Sequence, residues 1–175
     1  MEISVLISEG ELEERIKALG EEIKKDYEGE EITLLCVLKG SVIFTADLAR
    51  HLDPTTCEFE FIEVSSYGDG NVSSGEIKIT KDLTCIKDRH VLIIEDIVDT
   101  GHTLAFLVEY LKTKYPKSLK ICSLLDKPER REAKGLNIDY LGFTIPNKFV
   151  VGFGLDVAQK YRNLGYIGFV NEGGK

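Results

Sequence analysis

The chain has 175 residues, with 22 Lys or Arg against 30 Asp or Glu and a formal net charge of −8. At this length, and with 43% hydrophobic residues, a single domain with one sizeable core is expected rather than a disordered chain. The acidic balance, without any block of consecutive Lys or Arg, argues against nucleic acid as a partner, and no apolar run nears the roughly 20 residues that span a bilayer.

Met1-Glu2-Ile3-Ser4 has neither a basic start nor a long apolar stretch, so a cytoplasmic protein is expected. Ser8-Glu9-Gly10-Glu11 has the form of a capping box, and Leu12, Ile16, Leu19 and Ile23 follow at helical spacing, which predicts a helix over 9–26. Ile32 to Leu38 reads as a strand ending in Lys39-Gly40, followed by a helix around Phe44 and Leu48 that Asp53-Pro54 closes. Cys57, Phe59 and Phe61 alternate with Glu58 and Glu60, the pattern of a half-exposed strand, and lead into a Gly- and Ser-rich loop over 65–75.

Val91 to Ile94 is a continuous run of Val, Leu and Ile, as in a strand buried on both faces, and it is expected to stop at Glu95-Asp96. Leu104, Leu107, Val108 and Leu111 stripe a helix starting near Thr103, and Ile121 to Leu125 is the next strand, so 91–125 reads as a βαβ unit with parallel strands. Tyr140 to Phe143, Phe149 to Phe153 and Tyr166 to Val170 are short and strand-like. No repeat or linker divides residues 1–175, which gives a single α/β domain with a mostly parallel sheet flanked by helices. Cys36, Cys57, Cys85 and Cys122 form no Cys-x-x-Cys pair and read as free thiols of a reducing compartment, and with His51, His90 and His102 equally scattered no zinc site is expected.

Open α/β sheets bind ligands beyond the carboxyl ends of their strands, and here those ends are polar. They carry Lys39-Gly40, the 65–75 loop, Glu95-Asp96, Asp99 to Thr103, Asp126-Lys127 and Asp156. Thr100, Gly101 and Thr103 would form a loop whose N–H groups open onto a helix N-terminus, a site suited to a phosphate monoester. Glu95 and Asp96, one loop earlier, can accept from vicinal hydroxyls or hold hydrated Mg²⁺. Ribose 5-phosphate offers both features. Helix capping and a solvated turn would account for Asp99 or Thr100 singly, but poorly for three carboxylates directly after a buried strand.

The segment Val91 to Thr103 resembles the phosphoribosyl pyrophosphate signature of type I phosphoribosyltransferases. Leu38-Lys39-Gly40, Ser65-Ser66-Tyr67-Gly68, Leu125-Asp126-Lys127-Pro128, Pro146 to Asp156 and Tyr161-Arg162-Asn163-Leu164 are similar, in the same order, to segments of the hypoxanthine-guanine branch. The resemblance spans 5–170. It implies a small hood, built from the N-terminal part and the segment after 140, over the parallel sheet.

The resemblance also implies roles. Glu95 and Asp96 would engage the ribose hydroxyls and Mg²⁺, Asp99 would take or share the purine N7 proton, and Asp99, Thr100, Gly101, His102 and Thr103 would surround the 5′-phosphate. Lys39 and Gly40, after a peptide that is often cis, would face pyrophosphate together with Arg162. Lys127 would donate to O6 of the base, Phe149 would stack on its ring, and the Val150 backbone would read its edge. Asp156 would hold a second Mg²⁺, and the 65–75 loop would be a mobile lid carrying Ser66 and Tyr67. Taken singly, Lys39, Lys127 and Arg162 also fit solvated charges, Phe149 a core residue and 65–75 an ordinary hairpin loop.

The implied substrates are phosphoribosyl pyrophosphate and a 6-oxopurine base, and the implied assembly is a homodimer or homotetramer. Three rival readings use the same residues. They are a non-catalytic purine or phosphoribosyl pyrophosphate sensor, a Mg²⁺-dependent phosphoacceptor domain, and a transferase preferring xanthine. His102 stands at a variable position of the signature; near the phosphate it would make binding sensitive to pH.

Overall fold

The computed structural model describes residues 2–67 and 76–171. Strand β1 (Ile3–Ile7) leads into α1 (Glu9–Asp26), which starts at the expected capping box: Ser8 Oγ accepts from the Glu11 amide at 3.3 Å, and Glu11 Oε2 accepts from the Ser8 amide at 2.8 Å. Leu12, Ile16, Leu19 and Ile23 form its buried stripe.

The main sheet is built from β2 (Ile32–Leu38), β3 (Cys57–Tyr67), β4 (Glu76–Lys81), β5 (His90–Val98), β6 (Ser118–Asp126) and β7 (Tyr140–Thr144). Their spatial order is β4-β3-β2-β5-β6-β7, parallel from β3 to β7, with β4 antiparallel at the edge. Helices α2 (Val42–Ala49) and α3 (His102–Lys112) follow β2 and β5. Alternate residues of a strand face opposite sides. Leu92 and Ile94 therefore pack with the stripe of α1 and with Phe44 and Leu48 of α2, while Val91 and Ile93 pack with Leu104, Leu107 and Leu111 of α3. Both faces of β5 are covered, which is why its sequence is an unbroken apolar run.

The hood is a second, antiparallel sheet of β1, β9 (Ile167–Val170) and β8 (Val150–Val151), in the order β1-β9-β8. Four expectations are corrected. Residues 140–144 belong to the main sheet as β7, in register with β6 from Cys122–Tyr140 to Asp126–Thr144, so the hood starts later than 140. The strand at Phe149 shrinks to Val150–Val151, because the chain turns off the sheet through the left-handed backbone of Gly152 (φ 97°) and Phe153 (φ 49°). Ser65, Ser66 and Tyr67 are not loop but the end of β3, paired with Lys78, Ile77 and Glu76. Finally, β5 does not stop at Ile94 but continues through Glu95 and Asp96 to Val98.

Candidate active site

The continuation of β5 creates the site. On one side β2 pairs with it only as far as Cys36–Ile94, whereas on the other β6 stays paired to Val98–Asp126. Glu95 and Asp96 therefore stand on an ordered strand with one flank open. The chain of β2 leaves at Lys39, after a cis Leu38–Lys39 peptide of the kind the resemblance implies. Its turn is fixed from below by the buried Ser41, whose hydroxyl donates to the Val37 carbonyl at 2.7 Å.

Three segments meet at Gly40 with no room for side chains. A Cβ on Gly40 would collide with the Asp96 carboxylate, and one on Gly154, at φ 104°, would collide with the Gly40 carbonyl oxygen. Arg162 completes this corner: Nη1 donates to the Gly154 carbonyl at 2.7 Å, and Nη2 lies 3.0 Å from Asp156 Oδ1. Asp156 Oδ2 accepts from the Gln159 amide at 2.8 Å, so both of its oxygens are engaged. The Lys39 side chain is exposed.

Glu95 is buried and Asp96 half-buried, and among the described residues no Lys, Arg or His nitrogen lies within 4 Å of either carboxylate. Burial, with the Asp96 charge beside it, pushes the Glu95 carboxyl well above the ordinary range. Burial likewise pushes Asp96 up to about 6. Two adjacent oxygen donors short of positive charge fit a hard cation such as Mg²⁺, which takes one or two carboxylates and fills its remaining positions with water and phosphate oxygens. Glu95, Asp96 and Asp156 do not gather into one ligand set: among the described residues no group of three potential metal ligands forms.

The loop from Asp99 to Gly101 connects β5 to α3. Gly101, at φ 85°, is the N-cap; Thr100 Oγ1 accepts from the His102 amide at 3.5 Å, and Asp99 makes no capping bond to the helix. The first turn of α3 carries no acidic residue, leaving the positive end of the helix dipole for an anion. The loop, Gly40, Glu95 and Asp96 together line a cavity of about 240 Å³. The His102 side chain lies at the surface, its Nε2 2.7 Å from Glu132 Oε2.

Next to this loop, at the end of β6, Lys127 is only 6% exposed, which removes the reading of a solvated lysine. Its Nζ lies 3.8 Å from Asp99 Oδ2, while Asp99 Oδ1 accepts from Arg130 Nε at 2.9 Å. The chain returns to this corner after β7, where the Ile145 amide donates to the Asp126 carbonyl at 2.9 Å. Phe149 follows on the exposed stretch 146–149 and is 61% exposed, so it is not a core residue. Val150 is buried, but among the described residues β8 has a neighbour on one side only, and its outer backbone edge is unpaired there. Residues 68–75, and with them the expected lid, lie outside the described residues, as do the side chains of Ser66 and Tyr67.

A family model described as a phosphoribosyl transferase domain matches residues 7–158, and the chain belongs to the phosphoribosyltransferase family. It is 51% identical over 165 residues to a hypoxanthine-guanine phosphoribosyltransferase of Bacillus subtilis, covering 94% of this chain and 91% of that one. It is also 52% identical over 167 residues to the bifunctional protein TilS/HprT of Listeria innocua, covering 95% of this chain but only 26% of the relative's length. The solved structure of a hypoxanthine-guanine phosphoribosyltransferase from Bacillus anthracis, with a HEPES molecule in its active site, matches with a TM-score of 0.91 at 47% identity, covering 97% of this chain and 100% of that one.

Sequence reasoning missed Arg130 and Ser41. Arg130, in a charged run four residues after the end of β6, carries no signal of its own, and Ser41 reads as a loop residue until the turn that buries it is known.

Proposed function

We propose that this chain transfers the 5-phosphoribosyl group of phosphoribosyl pyrophosphate to N9 of hypoxanthine or guanine, forming IMP or GMP and releasing pyrophosphate, as a purine-salvage enzyme. The observation that carries the reading is the pairing of Asp99 with buried Lys127 at 3.8 Å beside the loop into α3. The major-groove edge of a 6-oxopurine presents N7 next to O6. An ammonium donor and a carboxylate acceptor side by side match a base with O6 unprotonated and a proton on N7. Adenine would set its amino group against the Lys127 ammonium, donor against donor, leaving a buried group unsatisfied.

In the reaction, N9 attacks C1′ as the bond from C1′ to the pyrophosphate oxygen breaks. Asp99 accepts the N7 proton, removing positive charge that would otherwise build on the base. Phe149 stacks on the ring, and the free edge of Val150 reads its far side. The amides of Thr100 to Thr103 hold the 5′-phosphate at the start of α3. Gly40 and Arg162 face the pyrophosphate. Glu95 and Asp96 orient the ribose hydroxyls and would hold Mg²⁺, with Asp156 as ligand of a second ion once its contact to Arg162 is shared. Bound Mg²⁺ offsets the charge of the leaving group, which reconciles an acidic protein with a polyanionic substrate. The four free cysteines support work in a reducing cytoplasm, and a homodimer or homotetramer is the expected assembly.

The test is nucleotide formation followed by ultraviolet absorbance, with Mg²⁺, phosphoribosyl pyrophosphate and each of hypoxanthine, guanine, xanthine and adenine. Hypoxanthine and guanine are expected to react and adenine not to. Asp99→Asn is expected to slow the reaction by about 10²-fold or more. Binding of the substrates without turnover by the wild type would overturn the reading in favour of a sensor.

A further inference from the structure

The short segment after Lys127 touches the catalytic loop residue by residue. A 3-10 turn spans Pro128–Arg130, closed by the Arg130 amide donating to the Lys127 carbonyl at 3.0 Å. From that turn Arg130 Nε donates to Asp99 Oδ1 at 2.9 Å. The amides of Glu132 and Ala133 both donate to the Thr100 carbonyl, at 2.9 and 3.0 Å. The Cδ of Arg131, whose guanidinium pairs with Asp126, lies 3.0 Å from where a Cβ of Gly101 would stand. Glu132 Oε2 meets His102 at 2.7 Å. Each residue from Asp99 to His102 thus has a partner within 130–133.

We propose that Arg130 is a positioning residue for the transfer reaction, holding one oxygen of Asp99 so that the other stays turned toward Lys127 and the base edge between them. The inference rests on the proposed transfer reaction. A carboxylate on a loop rotates freely about its χ angles unless something fixes it, and a donor on Oδ1 alone fixes its rotation while leaving Oδ2 available. Arg130 and Lys127 belong to the same turn, so the group that reads O6 and the group that aims Asp99 move as one unit. Small errors in the placement of a reacting group are costly, about 10²-fold for an ångström.

The test measures single-turnover nucleotide formation, which isolates chemistry from product release, for wild type, Arg130→Met, Arg130→Lys, Asp99→Asn and the Arg130→Met/Asp99→Asn pair. Arg130→Met is expected to lower the single-turnover rate by about tenfold with KM for hypoxanthine within about twofold, and Arg130→Lys to restore part of the rate. In the Asp99→Asn background the same change is expected to cost less than about twofold, because the group it aims is gone. Arg130 is exposed, and an unchanged thermal midpoint in the variants checks that the fold is kept. An active wild type with an equally fast or faster Arg130→Met overturns this inference alone, as does an equal loss in both backgrounds. A wild type that forms no nucleotide overturns the transfer reading together with it.

Discussion

Glu95 is a buried carboxyl whose proposed role would come at a cost in stability. Its carboxyl is buried beside Asp96 without a cation of the described residues in reach, and folding raises its pKa from the ordinary 4.5. A carboxyl that holds its proton more tightly when folded favours folding least where it must ionise. The fold carries no penalty below about pH 4.5, and the penalty grows as pH rises from there through the folded value. In metal-free buffer, Glu95→Gln is therefore expected to raise the thermal midpoint at pH 8, by the roughly 1–3 kcal/mol scale of a desolvated polar group or about 2–12 °C. The gain should shrink toward pH 4 while nucleotide formation falls at every pH. A midpoint unchanged at pH 8 would show that the folded chain already accommodates the charge.

Among the elements, those that obey a simple period were legible from residues alone. Helix α1 has its predicted ends, because the capping box marks one and the stripe of Leu12, Ile16, Leu19 and Ile23 sets its length. Removing that mark with Ser8→Ala is expected to cost about 1 kcal/mol, seen as a thermal midpoint lower by about 2–4 °C with activity unchanged. The parallel pairing of β5 and β6 was likewise legible from the apolar runs on either side of a striped helix. Strand ends were less so. Hydrophobicity falls at Glu95 although the ladder with β6 continues to Val98, because a strand persists while one neighbour pairs with it, whatever its side chains. Conversely, Phe153 is apolar and buried but not a strand residue, since backbone twist decides its pairing. The candidate site was legible mainly through the resemblance. Asp99 and Lys127 lie 28 positions apart, and only the adjacency of β5 and β6 brings them together.

At the scale of the whole molecule, hood and main sheet share one core. Ile7, Val150, Phe153, Leu155 and Ile167 of the hood pack in the same cluster as Leu34, Leu92 and Leu124 of the sheet. Hood and sheet are therefore expected to unfold together. The chain has no Trp, so the fluorescence of a Phe169→Trp reporter in β9 can be compared with far-ultraviolet circular dichroism in a urea titration. Coincident midpoints are expected, and an earlier fluorescence transition would make the hood a separate unit. The contact of Gly154 with Gly40 binds the two parts in a further way, with a bearing on which sequences this fold can visit. Position 40 is closed by a side chain, that of Asp96, so a smaller residue at 96 would open it, though at the loss of a carboxylate the proposed chemistry uses. Position 154 is closed by the main-chain oxygen of residue 40, which every amino acid carries. Drift in sequence can therefore reach position 40 by a two-step route through position 96, whereas no side-chain change at 40 or 96 makes room at position 154.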